Sequence, residues 1–348
     1  MPVTVVVGGQ FGSEGKGKVA HFLARARRAH YAVRVGGANS GHTVVGRGGE
    51  PIIFRHLPTA CLLPEVISVI TAGNYLHIPI VLQEIAKADI TPSRLAIDPH
   101  AWVVLNEDRQ SEQKEGLQRS IGSTESGTGA ALTRRLSRLT TGTFAKDVPE
   151  FRPYIRDTAD LLYKGLNGCE RVVVEGTQGF GLSLLHSGSY PHCTSRDTTA
   201  ASFISESGLS PMDVDEIVLV VRTFPIRVSG NSGSLPNETD WSAIAAESGN
   251  PPTLIEHTSA TNRVRRVARF SADVVRRAIM HNRPTCIALN HLDYVDARCR
   301  LEQKLTHRAL SFVKNIEAEI GTTISLLGFG PDALVWHGVE QRKAGTNG

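Results

Sequence analysis

Cysteine is scarce in this 348-residue chain: there are five, an odd number, with no CxxC pair and no Cys/His spacing of a metal site. That excludes a disulfide framework and a structural zinc centre, and it points to reduced thiols in a cytoplasmic compartment. Long apolar runs are missing too. None approaches the roughly 18 residues of a membrane-spanning helix, and Met1-Pro2 leads straight into a strand-like run, so no membrane partner and no secretory leader are expected. A large charge surplus is also absent: 38 Lys and Arg against 34 Asp and Glu leave +4, too dispersed for a nucleic-acid surface but compatible with small anionic metabolites. Repeats, low-complexity blocks and long linkers do not occur. A chain that is 41% hydrophobic and 21% charged can build a sizeable core, and one domain over residues 1–348 with inserted substrate-binding loops is expected.

What the chain does have is a glycine-rich loop. Residues 8–18, Gly-Gly-Gln-Phe-Gly-Ser-Glu-Gly-Lys-Gly-Lys, follow directly on the apolar run Val3 to Val7. Glycines let backbone N–H groups curl around an anion, a following helix adds its positive dipole end, and Lys16 or Lys18 supplies a full charge. The loop is therefore expected to hold phosphate. Gly12-x4-Gly17-Lys18 satisfies the P-loop spacing, yet Val19 stands where a magnesium-binding Ser or Thr is required, so this is not an ordinary Walker A loop.

Short Val- and Ile-rich runs recur at 3–7, 31–35, 66–71, 171–175, 216–222 and 285–289, and read as buried strands. Helical spacing occupies Lys18 to Ala29, Ile78 to Ala88, Thr158 to Leu166, Ser271 to Met280 and Glu302 to Glu319. The alternation predicts an α/β fold with a mainly parallel central sheet flanked by helices. Ligands bind beyond the carboxyl ends of such strands, which is where Gly8 to Lys18, Gly36 to Thr43, Glu175 to Gly179 and Asn290 to Asp293 fall. Ser229 to Asn237 reads as a functional loop and not as a domain boundary.

Four segments together carry a resemblance: Gly-Gln-Phe-Gly-Ser-Glu-Gly-Lys-Gly-Lys at 9–18, Val-Gly-Gly-Ala-Asn-Ser-Gly-His-Thr-Val at 35–44, Val-Glu-Gly-Thr-Gln-Gly at 174–179 and Gly-Phe-Gly-Pro-Asp at 328–332. The chain resembles the adenylosuccinate synthetase family, carbon–nitrogen ligases that join L-aspartate to the 6-position of a purine nucleotide at the expense of a nucleoside triphosphate. Ser13 departs from the family pattern: members that act on IMP carry an aspartate there, regarded as the base for the N1 proton and as a magnesium ligand. A hydroxyl has no low-pKa form and cannot be a carboxylate base near neutral pH. The substitution resembles a phage-associated branch that uses dGMP on the route to 2-aminoadenine DNA. Guanine adds a 2-amino group beside N1, and a shorter, neutral residue gives it room and a hydrogen-bond partner.

The resemblance implies roles. Ser13, Lys16 and His42 are the catalytic set, with His42 as an acid titrating near neutrality, and Mg2+ is the cofactor, held at Ser13 and the backbone carbonyl of Gly41. The monophosphate, dGMP, falls to Ser13, Asn39, Ser123, Thr124, Arg134, Gln178, Thr194 and Val228, with Arg227 and Val228 near the sugar. Arg134 aligns with an arginine that crosses a homodimer interface to the partner's nucleotide. The triphosphate falls to Gly12, Gly15, Lys16, Gly17, Lys18, Gly41, His42, Thr43, Arg265, Asn290, His291, Asp293, Gly328, Gly330 and Pro331. His291 replaces a lysine that covers guanine in typical members, so ATP or dATP is expected as donor in place of GTP. L-Aspartate falls to Thr258, Thr261 and Arg263, an arginine being suited to clamping a carboxylate. The competing readings are an adenylosuccinate synthetase proper, using IMP and GTP, and a nucleotide-binding regulator without catalysis.

Overall fold

The computed structural model describes residues 2–46, 48–138, 142–258 and 263–338. Its frame is a nine-stranded sheet: β1 (Val3–Gly8), β2 (Tyr31–Arg34), β3 (Ile67–Ile70), β4 (Leu95–Ile97), β5 (Val172–Glu175), β6 (Val214–Arg222), β7 (Cys286–Asn290), β8 (Leu326–Phe329) and β9 (Ala333–Trp336). In space they run β9-β8-β7-β6-β1-β5-β2-β3-β4. Every neighbouring pair is parallel except β8 with β9, which form an antiparallel hairpin. β1 lies between β5 and β6, with Val5 opposite both Val174 and Ile217.

Successive side chains of a strand point to opposite faces, and both faces of β1 are covered. Val3, Val5 and Val7 pack with Leu162, Phe203, Val275 and Val313, while Val6 packs with Val19, Ala20 and Leu23. Those partners belong to helices α1 (Lys16–Ala26), α5 (Thr158–Asn167), α6 (Ala200–Ser207), α7 (Ala272–Asn282) and α8 (His307–Ile320). Burial on both faces is why β1 reads as an unbroken apolar run. Helices α2 (Ile78–Lys87), α3 (Asn106–Lys114) and α4 (Thr128–Ser137) complete the set used below.

The helix expected over Glu302 to Glu319 is divided. A short helix ends at Glu302, Gln303 takes a left-handed conformation (φ 50°), and α8 starts only at His307, where the Thr306 side chain caps Ala309 N–H at 3.3 Å. The first helix begins two residues earlier than its apolar spacing suggests, because Gly15 (φ 88°) supplies the left-handed cap, and it ends at Ala26 before Arg28 turns left-handed (φ 51°). Three strands of this sheet escaped the sequence reading: β4, only three residues long, and β8 with β9, which flank the turn at Gly330 and Pro331.

Candidate active site

Loops from the carboxyl ends of β1, β2, β5 and β6 meet around one cavity of about 390 Å³. It brings together Gly12, Ser13, Lys16, Asn39, Gly41, His42, Ser123, Thr124, Gln178, Thr194, Val228, Thr258 and Arg265, all expected from sequence to bind substrates. Arg227 also borders it, its guanidinium 4.8 Å from the Phe11 ring centre and one N–H donated to the His192 carbonyl at 2.6 Å. Burial and the nearby Arg266 lower the Arg227 pKa to about 10, so it stays cationic at neutral pH.

The glycine-rich loop is braced from inside by a carboxylate that sequence reasoning passed over. Glu14 is fully buried; its Oε1 accepts from the N–H groups of Gln10 (3.1 Å) and Gly12 (2.8 Å), and its Oε2 from Lys16 Nζ (2.7 Å). Two of the loop's amides therefore face Glu14 and not a ligand. Lys16 also donates to the Gln178 carbonyl, which leaves its third N–H for the cavity. Ser13 has a left-handed backbone (φ 56°), its carbonyl fixed by Arg222 at 3.0 Å and its side chain exposed to the cavity.

His42 lies against a second hidden carboxylate. Its Nδ1 is 2.6 Å from Glu175 Oε1, and the buried Arg34 guanidinium contacts the ring while binding the same oxygen at 3.1 Å. Glu175 Oε2 accepts from the Thr59 amide (2.8 Å) and hydroxyl (2.7 Å). Burial would raise the Glu175 carboxyl, but His42, Arg34 and Thr59 hold it well below the usual carboxylate range. Burial and then Arg34 push His42 down to about 3, against the pull of Glu175. This corrects the expectation that His42 titrates near neutrality: Arg34 already balances Glu175, so the imidazole is neutral in the resting site.

Glu112 is a third such group, and among the described residues it is the one acidic side chain bordering the cavity. It accepts from Gly127 and Gly129 N–H (2.8 Å each) and Ala130 N–H (3.2 Å), closing the N-terminus of α4. The helix end beside Ser123 and Thr124 is thus already satisfied, and the cavity keeps those two hydroxyls as its donors. Glu256 joins Arg222 (2.5 and 3.2 Å) and Arg265 (3.4 Å); burial would raise its carboxyl, but Arg222, His291 and Arg265 hold it low.

Other expected residues gather elsewhere. Lys18 turns away from the cavity, donates to the Gly330 carbonyl at 3.0 Å, and is lowered by burial to about 8 despite Asp293 and Asp332 nearby. Asn290 donates to the Glu14 carbonyl at 2.7 Å, and His291, with φ 67°, is driven far below its ordinary pKa by burial and Arg222. Asn290 Oδ1 and Asp293 Oδ1 are buried acceptors without a partner among the described residues. Gly328 lies in β8, where a Cβ would sit 1.9 Å from Asn290 Oδ1 and 2.9 Å from Lys18 Nζ. Gly330 (φ 58°) and Pro331 form the turn to β9. Gly15 and Gly17 allow close packing instead of lining the cavity: a Cβ on Gly15 would meet Asn290 Nδ2 at 2.7 Å, and one on Gly17 would meet His42 Cβ at 2.9 Å. Thr43 lies in the hairpin strand His42–Val45, with its side chain exposed.

Two arginines stand apart from the cavity. Arg134 is held by Asp108 through Nε (2.9 Å) and Nη2 (2.7 Å), over the Trp102 ring at 4.9 Å. Arg263 is exposed and donates to Gln118 Oε1 at 3.3 Å, while its backbone amide donates to Thr258 Oγ1 at 3.0 Å. Thr261 lies outside the described residues.

The family model of adenylosuccinate synthetase matches residues 5–148 and 140–302. The chain belongs to the adenylosuccinate synthetase family. It is 35% identical over 336 residues to adenylosuccinate synthetase of Methanocaldococcus jannaschii, covering 94% of each chain. To that of Pyrococcus horikoshii it is 34% identical over 339 residues, covering 95% of this chain and 97% of the relative. A fully ligated adenylosuccinate synthetase from Plasmodium falciparum shares the fold (TM-score 0.84, 19% identity, 97% of this chain and 100% of that one). So does succinoaminodeoxyadenylate synthetase of cyanophage S-2L, bound to dGMP and to dATP as an energy donor (TM-score 0.82, 26% identity, 96% and 95% covered). As an adenylosuccinate synthetase family member the protein is a carbon–nitrogen ligase. No helix among the described residues is long and apolar enough to cross a membrane.

Proposed function

We propose that this ligase joins L-aspartate to C6 of dGMP with ATP or dATP as phosphoryl donor, through a 6-phosphoryl intermediate, and releases a 2-amino-2'-deoxy-N6-succinyladenylate for 2-aminoadenine DNA synthesis. The observation that carries this is the hydroxyl of Ser13 on the cavity wall, in a place where no carboxylate is free: Glu14, Glu112, Glu175 and Glu256 are all engaged by donors within the protein. A neutral hydroxyl can meet the guanine edge without setting an anion against it. The dGMP and dATP in the cyanophage enzyme support the same reading. The archaeal relatives, named as adenylosuccinate synthetases, favour a second one in which IMP is the substrate.

The cavity supplies the needed parts. Ser123, Thr124, Asn39 and Thr194 offer neutral hydrogen-bond partners to the monophosphate, and Arg227 a charge near its sugar. Lys16 keeps one N–H for the transferring phosphoryl group, where charge builds on oxygen. Arg265, held by Glu256, faces the same space, and the Thr258 segment with Arg263 receives aspartate at the rim. Ser13 and the Gly41 carbonyl line the cavity as neutral oxygen donors and would hold Mg2+ there. Held by these oxygens, the ion would supply positive charge to offset that of the phosphates. The buried acceptors Asn290 Oδ1 and Asp293 Oδ1, beside Lys18, await donors from the triphosphate's base. The unit is a homodimer in which Arg134 serves the partner's nucleotide.

Turnover assays with dGMP, GMP and IMP, each with ATP, dATP or GTP, test the reading. Succinylated product from dGMP, dependent on aspartate and an adenine donor, is expected; exclusive use of IMP with GTP would establish the second reading instead. Ser13→Asp should move the preference toward IMP by about tenfold or more, the worth of one misplaced buried charge in a binding site.

A further inference from the structure

The segment Ser229 to Asn237, expected from sequence to be a functional loop, leaves the cavity wall at Val228 and returns to it at Ser232. Gly230 (φ 82°) and Gly233 (φ 94°) take left-handed conformations on either side, and Ser232 is buried while Gly230 and Asn231 are exposed. Val228 and Ser232 close against Gly122, the residue before Ser123. A Cβ on Gly122 would stand 2.9 Å from Ser232 Cβ and 3.3 Å from Val228 Cγ2, so the wall has no gap for another heavy atom there. Its polar atoms are bound to one another: Ser232 Oγ donates to the Val228 carbonyl at 2.5 Å and accepts from Arg266 Nη1 at 3.2 Å.

The wall is braced from three sides. Asn231 donates through Nδ2 to the Ser120 carbonyl at 2.7 Å, and its Oδ1 accepts from His192 Nε2 at 3.1 Å. Arg227 donates to the Ser234 carbonyl at 3.1 Å and to the His192 carbonyl at 2.6 Å. Arg266 donates to the Gly233 carbonyl at 2.7 Å and is itself gripped by Glu238 at 2.7 and 2.6 Å. Residues 120–124, 190–194 and 228–234 are thus tied into one unit, and a close-packed unit yields little to an added atom. A nucleoside monophosphate with its phosphate on Ser123 and Thr124 and its base at Ser13, as proposed above, carries its sugar between the two, along the wall that begins at Gly122.

We propose that Val228 and Ser232 set the sugar specificity: they form a braced wall with room for the hydrogens of a 2'-deoxy sugar and none for a 2'-hydroxyl, so the site takes deoxynucleotides and refuses ribonucleotides. A 2'-hydroxyl arriving there crowds a packed surface and meets polar groups already paired with each other, and both effects count against it. Asn231, exposed and outside the cavity, is a positioning residue that acts through the wall. This rests on the monophosphate site of the reading above but not on the choice of guanine, since the deoxynucleotides of guanine and hypoxanthine carry the same sugar.

The test compares kcat/KM for four monophosphates, dGMP, GMP, dIMP and IMP, with L-aspartate, Mg2+ and each of ATP, dATP and GTP. In the wild type the deoxynucleotide of the preferred base should exceed its ribonucleotide by about 10- to 100-fold, the range for one added hydroxyl, and mainly through KM. Equal use of the two sugars, or a preference for ribose, overturns the proposal, and this needs no variant to fold. The base is read from a separate pair: dIMP used in place of dGMP refutes the dGMP reading, while dIMP against IMP still decides the sugar. Turnover with none of the four refutes the ligase reading, and calorimetric binding of dGMP against GMP then decides the sugar. Ser232→Gly, which takes a carbon and a hydroxyl out of the wall, should bring the ribonucleotide within about 3-fold of the deoxynucleotide, and Asn231→Ala should narrow the gap by at least about 3-fold. An unchanged ratio in Ser232→Gly overturns the proposal; if that variant does not fold, an unchanged ratio in Asn231→Ala does so.

Discussion

Lys16 and Glu14 face each other at 2.7 Å with almost no solvent contact, so removing one strands the other. Lys16→Met should abolish turnover, at least about 10³-fold, because the phosphoryl group loses its counter-charge. It should also cost about 3 kcal/mol of stability by leaving a buried carboxylate without its cation. Adding Glu14→Gln should return most of that stability in urea titrations without returning activity; a double variant as unstable as the single one would show that the pair does not act as argued. The His42 cluster makes a second claim at this scale. His42 has a folded pKa near 3, below its ordinary 6.5, so as pH falls through that window the unfolded chain takes up a proton that the folded chain refuses, and stability is lost. Glu175, also depressed, adds its loss at still lower pH, below its ordinary 4.5. Urea midpoints measured from pH 7 to pH 5 should therefore fall less in His42→Asn than in wild type; equal falls would show that His42 does not titrate as described.

At the scale of elements, glycine marks close approach as much as it marks a turn. Gly328 lies in β8 under Asn290 and Lys18, and an alanine there has no room. Gly328→Ala should destabilise by about 2 kcal/mol through overpacking and should weaken triphosphate binding more than monophosphate binding. Calorimetry and separate KM measurements check both, and an equal effect on the two substrates would contradict the placement of the triphosphate near Lys18. Much of this architecture is legible in the sequence because β1, β5, β6 and β7 are buried on both faces and leave continuous apolar runs. β4, three residues long, and the β8–β9 hairpin leave no such run. The glycine loop and the segment ending in His42 are equally plain, since their glycines lie together in short local motifs and both segments line the cavity. The bracing carboxylates are not, because Glu175 finds His42 across 133 residues, and only the folded sheet sets them side by side. The available signal was a charged residue closing an apolar strand, Glu175 after Val172 to Val174, and likewise Arg34 and Arg222 at the ends of β2 and β6.

For the whole molecule the open matter is how Arg134, outside its own cavity, contributes. Asp108 grips Nε and Nη2, and the Val103 carbonyl accepts from Nη2 at 3.0 Å, while the guanidinium lies over Trp102. Nη1 is left without a partner among the described residues, on a side chain already held rigid. A pre-oriented arginine loses little freedom on meeting an anion, and in a two-fold dimer each chain presents the same group to the other. In the proposed homodimer, Arg134→Leu should therefore raise the KM for monophosphate by about 10-fold or more, as expected for losing a charge-assisted phosphate contact. The decisive experiment mixes Arg134→Leu chains with Lys16→Met chains at limiting monophosphate, where the second is inactive alone and the first is slowed about 10-fold or more by its raised KM. If the arginine acts across the interface, each hybrid has one site carrying both defects and one carrying neither, and random pairing makes half the dimers hybrid, so about a quarter of wild-type activity should return. Mixing that restores nothing, with hybrids confirmed by native mass spectrometry, would confine Arg134 to bracing α3 against α4 in its own chain.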